Sequence, residues 1–267
     1  VCKQCHVNEY TEWEKSYHAT SLVGSPRTMA TLGSFLRDGL MKEWTKSGVK
    51  EVKDIKVEHM MSCFKCHLPQ IKDATDAVAQ EIAQAVLDAT GPDEAKRGPA
   101  RKQLEKLGIN CITCHNTKAL IHEWVDGKPE PNVIYGYKGE GEHPGGAVTQ
   151  FKNRKKSPIM RESILCGQCH GLGPNFDLPN PTQCATLYGS YLHAYIPSGG
   201  NKTCQECHMD KGHFMPGYRD ADQAKKAVKV DVDTKTYYFL PRAGYSVPTA
   251  YVTVKMVNQA GHRIPDG

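Results

Sequence analysis

Large aliphatic residues are scarce in this chain. Leu, Ile, Val and Phe number 15, 11, 18 and 6 among 267 residues, a share of about 19%, at the level associated with disorder when charge is also extreme. The charge is not extreme, because the formal balance is only +5. A folded chain of this composition is expected to have difficulty burying a conventional interior. No apolar run reaches the length of a membrane span. Also missing are a Walker loop, a dinucleotide-binding glycine pattern and a nucleophile elbow, which excludes the chemistries those motifs serve.

Cysteine, by contrast, is plentiful and patterned. Five times the chain writes Cys-x-x-Cys-His: at Cys2–His6, Cys63–His67, Cys111–His115, Cys166–His170 and Cys204–His208. This pentad is the attachment signal for a covalent c-type haem. Two thiols bond one edge of the porphyrin, and the adjacent imidazole reaches the iron. Zinc ribbons would pair Cys-x-x-Cys units into four-ligand sites and leave five histidines unexplained. A thioredoxin-like dithiol needs one motif in a βαβ setting, not five along a chain. With 12 histidines in 267 residues, His after all five cysteine pairs has a chance probability on the order of 10⁻⁷. Five haem c groups are therefore expected on Cys2, Cys5, Cys63, Cys66, Cys111, Cys114, Cys166, Cys169, Cys204 and Cys207. The expected proximal ligands are His6, His67, His115, His170 and His208. Cys184 is left over and reads as a small buried apolar residue.

Five porphyrins would answer the aliphatic deficit, since each is a large apolar disc that side chains can pack around. The haems are then expected to be the core and the haem-free chain to be unfolded. Ten propionates would add about −10 to the charge, so the basic composition does not point to a nucleic-acid partner. The run Lys152-Asn153-Arg154-Lys155-Lys156 reads as a solvated loop. Haem attachment of this kind takes place outside the cytoplasmic membrane. The expected location is the periplasm or cell surface, with an export leader removed or outside the sequence.

The expected fold is mainly α-helical and coil, with little regular structure, organised around a haem chain and followed by a small C-terminal β element. Residues 1–227 read as one pentahaem domain, and residues 228–267 as a short β element carrying a candidate ligand. The clearest helix is Ile71 to Thr90, with Ile71, Ala74, Val78, Ile82 and Val86 at helical spacing before Gly91-Pro92. A second runs from about Asp93 to Leu107, and short ones cover 9–18 and 161–167. Residues 116–157, rich in Gly, Pro and Lys, read as loop. Strands are expected through Val230–Phe239 and Tyr251–Val257.

Seven histidines lie outside the motifs: His18, His59, His122, His143, His193, His213 and His262. Imidazole is the commonest metal ligand, so these are the first candidates for the sixth position on each iron; Met60, Met61, Met209 and Met215 compete. Cys2–His6 followed by Tyr10, Trp13, Ser16 and His18-Ala19 resembles the opening of the tetrahaem cytochromes that accept electrons from hydroxylamine oxidoreductase, and of their larger multihaem relatives. Gly108-Ile109-Asn110-Cys111 through His122, the Ser157-Pro158 to Cys166 approach, and Cys204–Met209 with Gly212-His213-Phe214 and Gly217 are similar to later segments of that group. Val257 to Gly267 resembles its strand-borne Asn-x-x-x-Gly-His-x-x-Pro-x-Gly ligand turn. The resemblance implies distal roles for His18, His122, His213 and His262. His193 is preferred as the fifth, with His59 and His143 in reserve. The tetrahaem relatives can leave their second haem without a distal ligand, whereas here His59 lies close to the second motif.

Two functions are expected to compete. One is electron conduction through closely spaced bis-His haems, with redox proteins or copies of the chain as partners, as a shuttle or as a filament subunit. The other is an oxidoreductase acting on a small nitrogen or sulfur oxyanion at one open haem, the second being the first suspect. The surplus of histidines over irons favours conduction.

Overall fold

A computed structural model describes residues 1–120, 128–171, 173–175, 178–179 and 184–264. Helices carry the first half. Helix α1 (Val7–Trp13) follows a 3₁₀ turn at Cys2–Gln4. Helix α2 (Pro26–Ser34) starts on a proline, the residue best suited to a first helical turn, and continues into a π-helical stretch at Phe35–Glu43. Helices α3 (Val57–His67), α4 (Asp76–Thr90) and α5 (Glu94–Leu104) complete this part. The single helix expected from Ile71 is divided: Pro69–Asp73 forms a 3₁₀ turn, and α4 begins after Thr75, whose side chain accepts the Val78 N–H. That cap satisfies an otherwise orphan donor and fixes the start.

These helices gather the few large aliphatics into one place. Leu22, Leu32, Leu36, Ile55, Met60, Phe64, Ile71, Val86 and Leu104 are all buried in a single cluster. The sequence expectation that haems alone supply the core is thereby corrected for this region. The deficit is uneven, and residues 22–104 hold a conventional apolar core. A second cluster has only Ala119, Val133 and Tyr135 as buried members. Beyond Ile159 no described apolar residue is buried.

Within 116–157, expected as loop, the structure places three short strands: β1 (Val133–Gly136), β2 (Gly141–Glu142) and β3 (Asn153–Lys156). Their order is β1-β3-β2, with β1 parallel and β2 antiparallel to β3. Only β1 alternates buried and half-buried positions; β3 is wholly exposed, so it carries no hydrophobic period to read. Its Lys155 pairs with Glu130.

The C-terminal β element is an antiparallel ribbon of β4 (Val228–Arg242) and β5 (Tyr245–Asn258). Strand alternation puts Val228, Val230, Val232, Val252, Val254 and Met256 on one face, with Lys229, Asp231, Asp233, Lys235 and Lys255 on the other. No helix among the described residues is long and apolar enough to cross a membrane.

Candidate haem-binding sites

Every Cys-x-x-Cys-His motif lies on a helical turn. The second closes α3, the fourth lies in the helix Ser163–His170, and the fifth is itself the helix Cys204–His208. The third runs into a π-turn at Thr113–Thr117, and the first occupies the 3₁₀ turn. Residues three and four apart share a helix face, so both thiols and the imidazole of a motif are presented on one side. The fifth motif shows how such a short helix is held. Thr203 accepts the Glu206 N–H, and Glu206 accepts the Thr203 N–H in return, a reciprocal capping box.

Four motif histidines are each paired with a histidine from outside the motifs. His6 and His143 have ring centroids 6.4 Å apart with planes within 1°. His170 and His18 are at 6.1 Å and 62°. His115 and His213 are at 6.3 Å and 34°. His208 and His262 are at 6.2 Å and 20°. A metal held between two imidazole nitrogens at about 2.0 Å each places the ring centroids about 6.3 Å apart. The four separations fit an iron with two axial imidazoles.

The second nitrogens support the same fit. Nδ1 of His115, His143, His208 and His262 lies 2.7–2.9 Å from the carbonyls of Tyr135, Phe151, Pro216 and Arg263. A carbonyl only accepts, so Nδ1 carries the proton and Nε2 keeps its lone pair for a metal. Burial pushes the imidazoles of His67, His115 and His170 below their ordinary value. His18 is pushed down to about 4, by burial first and by His170 second. At neutral pH these rings are neutral, which is the ligating form. Among the described residues no cluster of three or more His, Cys, Asp or Glu could hold a metal ion. A bis-imidazole haem asks the protein for only two such groups per iron.

Of the residues expected to serve as distal ligands, His18, His213 and His262 each lie opposite a motif histidine. The ring opposite His6 is that of His143, held in reserve by the sequence reading. His193 is exposed on the π-turn Tyr191–Tyr195. His59 accepts the Lys56 N–H through Nδ1 at the start of α3, the same helix that carries His67. His122 lies outside the described residues, and among those described no histidine ring is paired with His67. Met60 is buried in the apolar cluster, and Met215 Sδ lies 2.6 Å from His18 Nδ1. Cys184, expected buried, is exposed. His143 could not be found by pattern because it lies in a Gly- and Pro-rich stretch that brings its ring to His6 only through tertiary folding.

Neighbouring motifs touch. Cys2 lies near Cys111, Cys66 near Cys169, and Cys166 near Cys204. His115 lies near His6, and His170 near both His67 and His208. Cys114 is close to Cys166 and Cys169. The sites therefore run from the first through the third to the fourth, which borders both the second and the fifth.

The first and third motifs are sewn together by backbone. Ile109 N–H donates to the His18 carbonyl at 2.8 Å, and Trp13 Nε1 donates to the Ile109 carbonyl at 2.8 Å. A Cβ on Gly108 would lie 2.1 Å from the Ala19 carbonyl oxygen. Gly108→Ala must therefore push the two segments apart. We expect it to destabilise the protein by about 1–3 kcal/mol, the usual cost of overpacking, and, on the haem reading proposed below, to disturb the spectrum of a haem held between His18 and His170. Thermal melting together with the ferric EPR spectrum checks both effects.

No protein family, curated protein or solved structure matches this chain.

Proposed function

We propose that this chain is a pentahaem c-type cytochrome that conducts electrons through closely spaced haems, most of them ligated by histidine on both faces. The observation that carries the reading is the set of four His–His pairs at 6.1–6.4 Å, each joining a motif histidine to one from elsewhere. When bound, each haem iron takes up and releases a single electron, passing between ferric and ferrous forms. The chain supplies the rest. Its thiols anchor the rings, its paired imidazoles fill both axial positions, and its backbone carbonyls hold each imidazole in the tautomer that ligates. In this reading the distal ligands are His143, His18, His213 and His262 for the first, fourth, third and fifth haems. The resemblance implies a distal role for His122 as well, and with the other four taken it goes in this reading to the second haem. Attachment of c-type haem places such a protein outside the cytoplasm, and its partners are redox proteins or further copies of itself.

A second reading takes its cue from the resemblance, since the tetrahaem relatives can leave their second haem without a distal ligand. An open second haem would admit a small nitrogen or sulfur oxyanion and make the chain an oxidoreductase.

Mass spectrometry of the denatured, natively matured polypeptide is expected to show five added haems, and the reduced protein is expected to ignore carbon monoxide. Four or fewer haems would sink the count. Stoichiometric carbon monoxide binding to one haem would turn the reading to the enzyme. His143→Ala is expected to create one high-spin haem, while His193→Ala leaves the spectrum unchanged; the reverse pattern would return the first haem to His193.

A further inference from the structure

The proposed axial histidines differ in what their second nitrogen meets. Four of them meet backbone carbonyls, the usual neutral acceptor. Two face a carboxylate instead: His6, its Nδ1 4.0 Å from Oε2 of the exposed Glu9, and, in a half-buried setting, His213. Its Nδ1 is buried without a hydrogen-bond partner, and 3.7 Å away lies Oε2 of Glu12, contributed from the opposite end of the sequence.

The carboxylate is held there by construction. Trp13, next to Glu12 on α1, is tied to the Ile109 carbonyl just ahead of the third motif. Oε2 of Glu12 also accepts the backbone N–H of His213 at 2.8 Å. Gly212 takes φ +101°, a left-handed backbone value, and a Cβ there would lie 2.1 Å from Glu12 Oε2. Only glycine satisfies both conditions. Helix stability does not ask for this carboxylate, since Glu12 lies in the last turn of α1, where the helix dipole disfavours negative charge.

We infer that Glu12 is a positioning residue for the third haem, its carboxylate facing the Nδ1–H of His213 at 3.7 Å and stabilising that proton electrostatically. This rests on the haem reading above. A carboxylate behind a ligating histidine raises the basicity of the ring and fixes its orientation. A more basic axial imidazole favours ferric over ferrous iron. The third haem is thereby held at a lower potential than the same bis-His site backed by a carbonyl. Reduction there takes one electron from a reduced neighbouring haem, with no bond made or broken.

The test is Glu12→Gln, whose amide oxygen can still accept the His213 backbone N–H. A purely structural role survives the change, and only the negative charge facing Nδ1 is lost. Five haems by mass are confirmed on the same sample; their absence would overturn the haem reading itself and not the role of Glu12. The expected result is one of five redox transitions moving to higher potential, with the g values of one low-spin ferric signal moving with it. The g values report the donor strength of the axial ring, which a distant charge does not alter. Glu14→Gln, at an exposed carboxylate two residues on, is expected to leave all five transitions in place. Glu12→Asp, which keeps the charge but draws it back by one methylene, is expected to shift the same signal in the same direction, and it serves if the Gln variant does not accumulate. The proposal is overturned if the variants' titrations and EPR spectra overlay the parent's, if the potential moves with unchanged g values, or if Glu14→Gln reproduces the shift.

Discussion

On the proposed haem reading, replacing His18 with Ala is expected to convert one haem, and only one, from low-spin to high-spin and to open it to stoichiometric carbon monoxide. The ring of His18 lies 6.1 Å from that of His170, and burial keeps it neutral down to a pKa of about 4. The planes of this pair cross at 62°, while those of His6 and His143 are nearly parallel. Strongly crossed imidazoles give the more anisotropic ferric EPR signal, so the signal lost should be the one at highest g. The functional effect should also be the largest of any single ligand change. The fourth site borders the second, third and fifth, so its altered potential stands in every route between them. An EPR spectrum that overlays the parent's would make His18 a bystander.

The second large effect concerns the chain without haem. Produced where attachment machinery is lacking, it is expected to retain slow amide exchange only in residues within about 22–104 and to exchange almost immediately elsewhere. Buried apolar side chains pay for the ordering of a backbone, and they are concentrated in α2–α5. Beyond Ile159 the described chain buries no apolar residue. The helices Ser163–His170 and Cys204–His208 are too short to persist alone, and the ribbon β4–β5 is exposed along most of its length. Hydrogen exchange read by mass spectrometry checks the division. Uniform protection, or none, would contradict it.

The difference between those two halves also explains what could be read in advance. The five motifs were legible because each fixes residue type and spacing within five consecutive positions. Helix α4 was legible from its apolar period, and β4 and β5 from their β-branched and aromatic runs. The three-stranded sheet was not, because Asn153–Lys156 joins it through backbone alone. Histidines that pair with a motif histidine were legible only where a familiar segment surrounds them, as at His18, His213 and His262. His143 reaches His6 through the loop around Pro144–Ala147 and Phe151, and no local pattern encodes that return. Glu12 was invisible for the same reason, since its significance lies in a glycine and a histidine two hundred residues away.

The four histidine pairs have a further consequence when each is regarded as a bracket drawn on the sequence: 6 to 143, 18 to 170, 115 to 213 and 208 to 262. Every bracket opens before an earlier one closes. With iron in each pair, these become cross-links that close long loops, and such links restrict the unfolded chain as disulfides do. A single cut anywhere between His6 and His262 then falls inside at least one bracket and releases no fragment. A nicked molecule would then stay in one piece until its irons are stripped, so its integrity would be carried as much by coordination as by the peptide backbone.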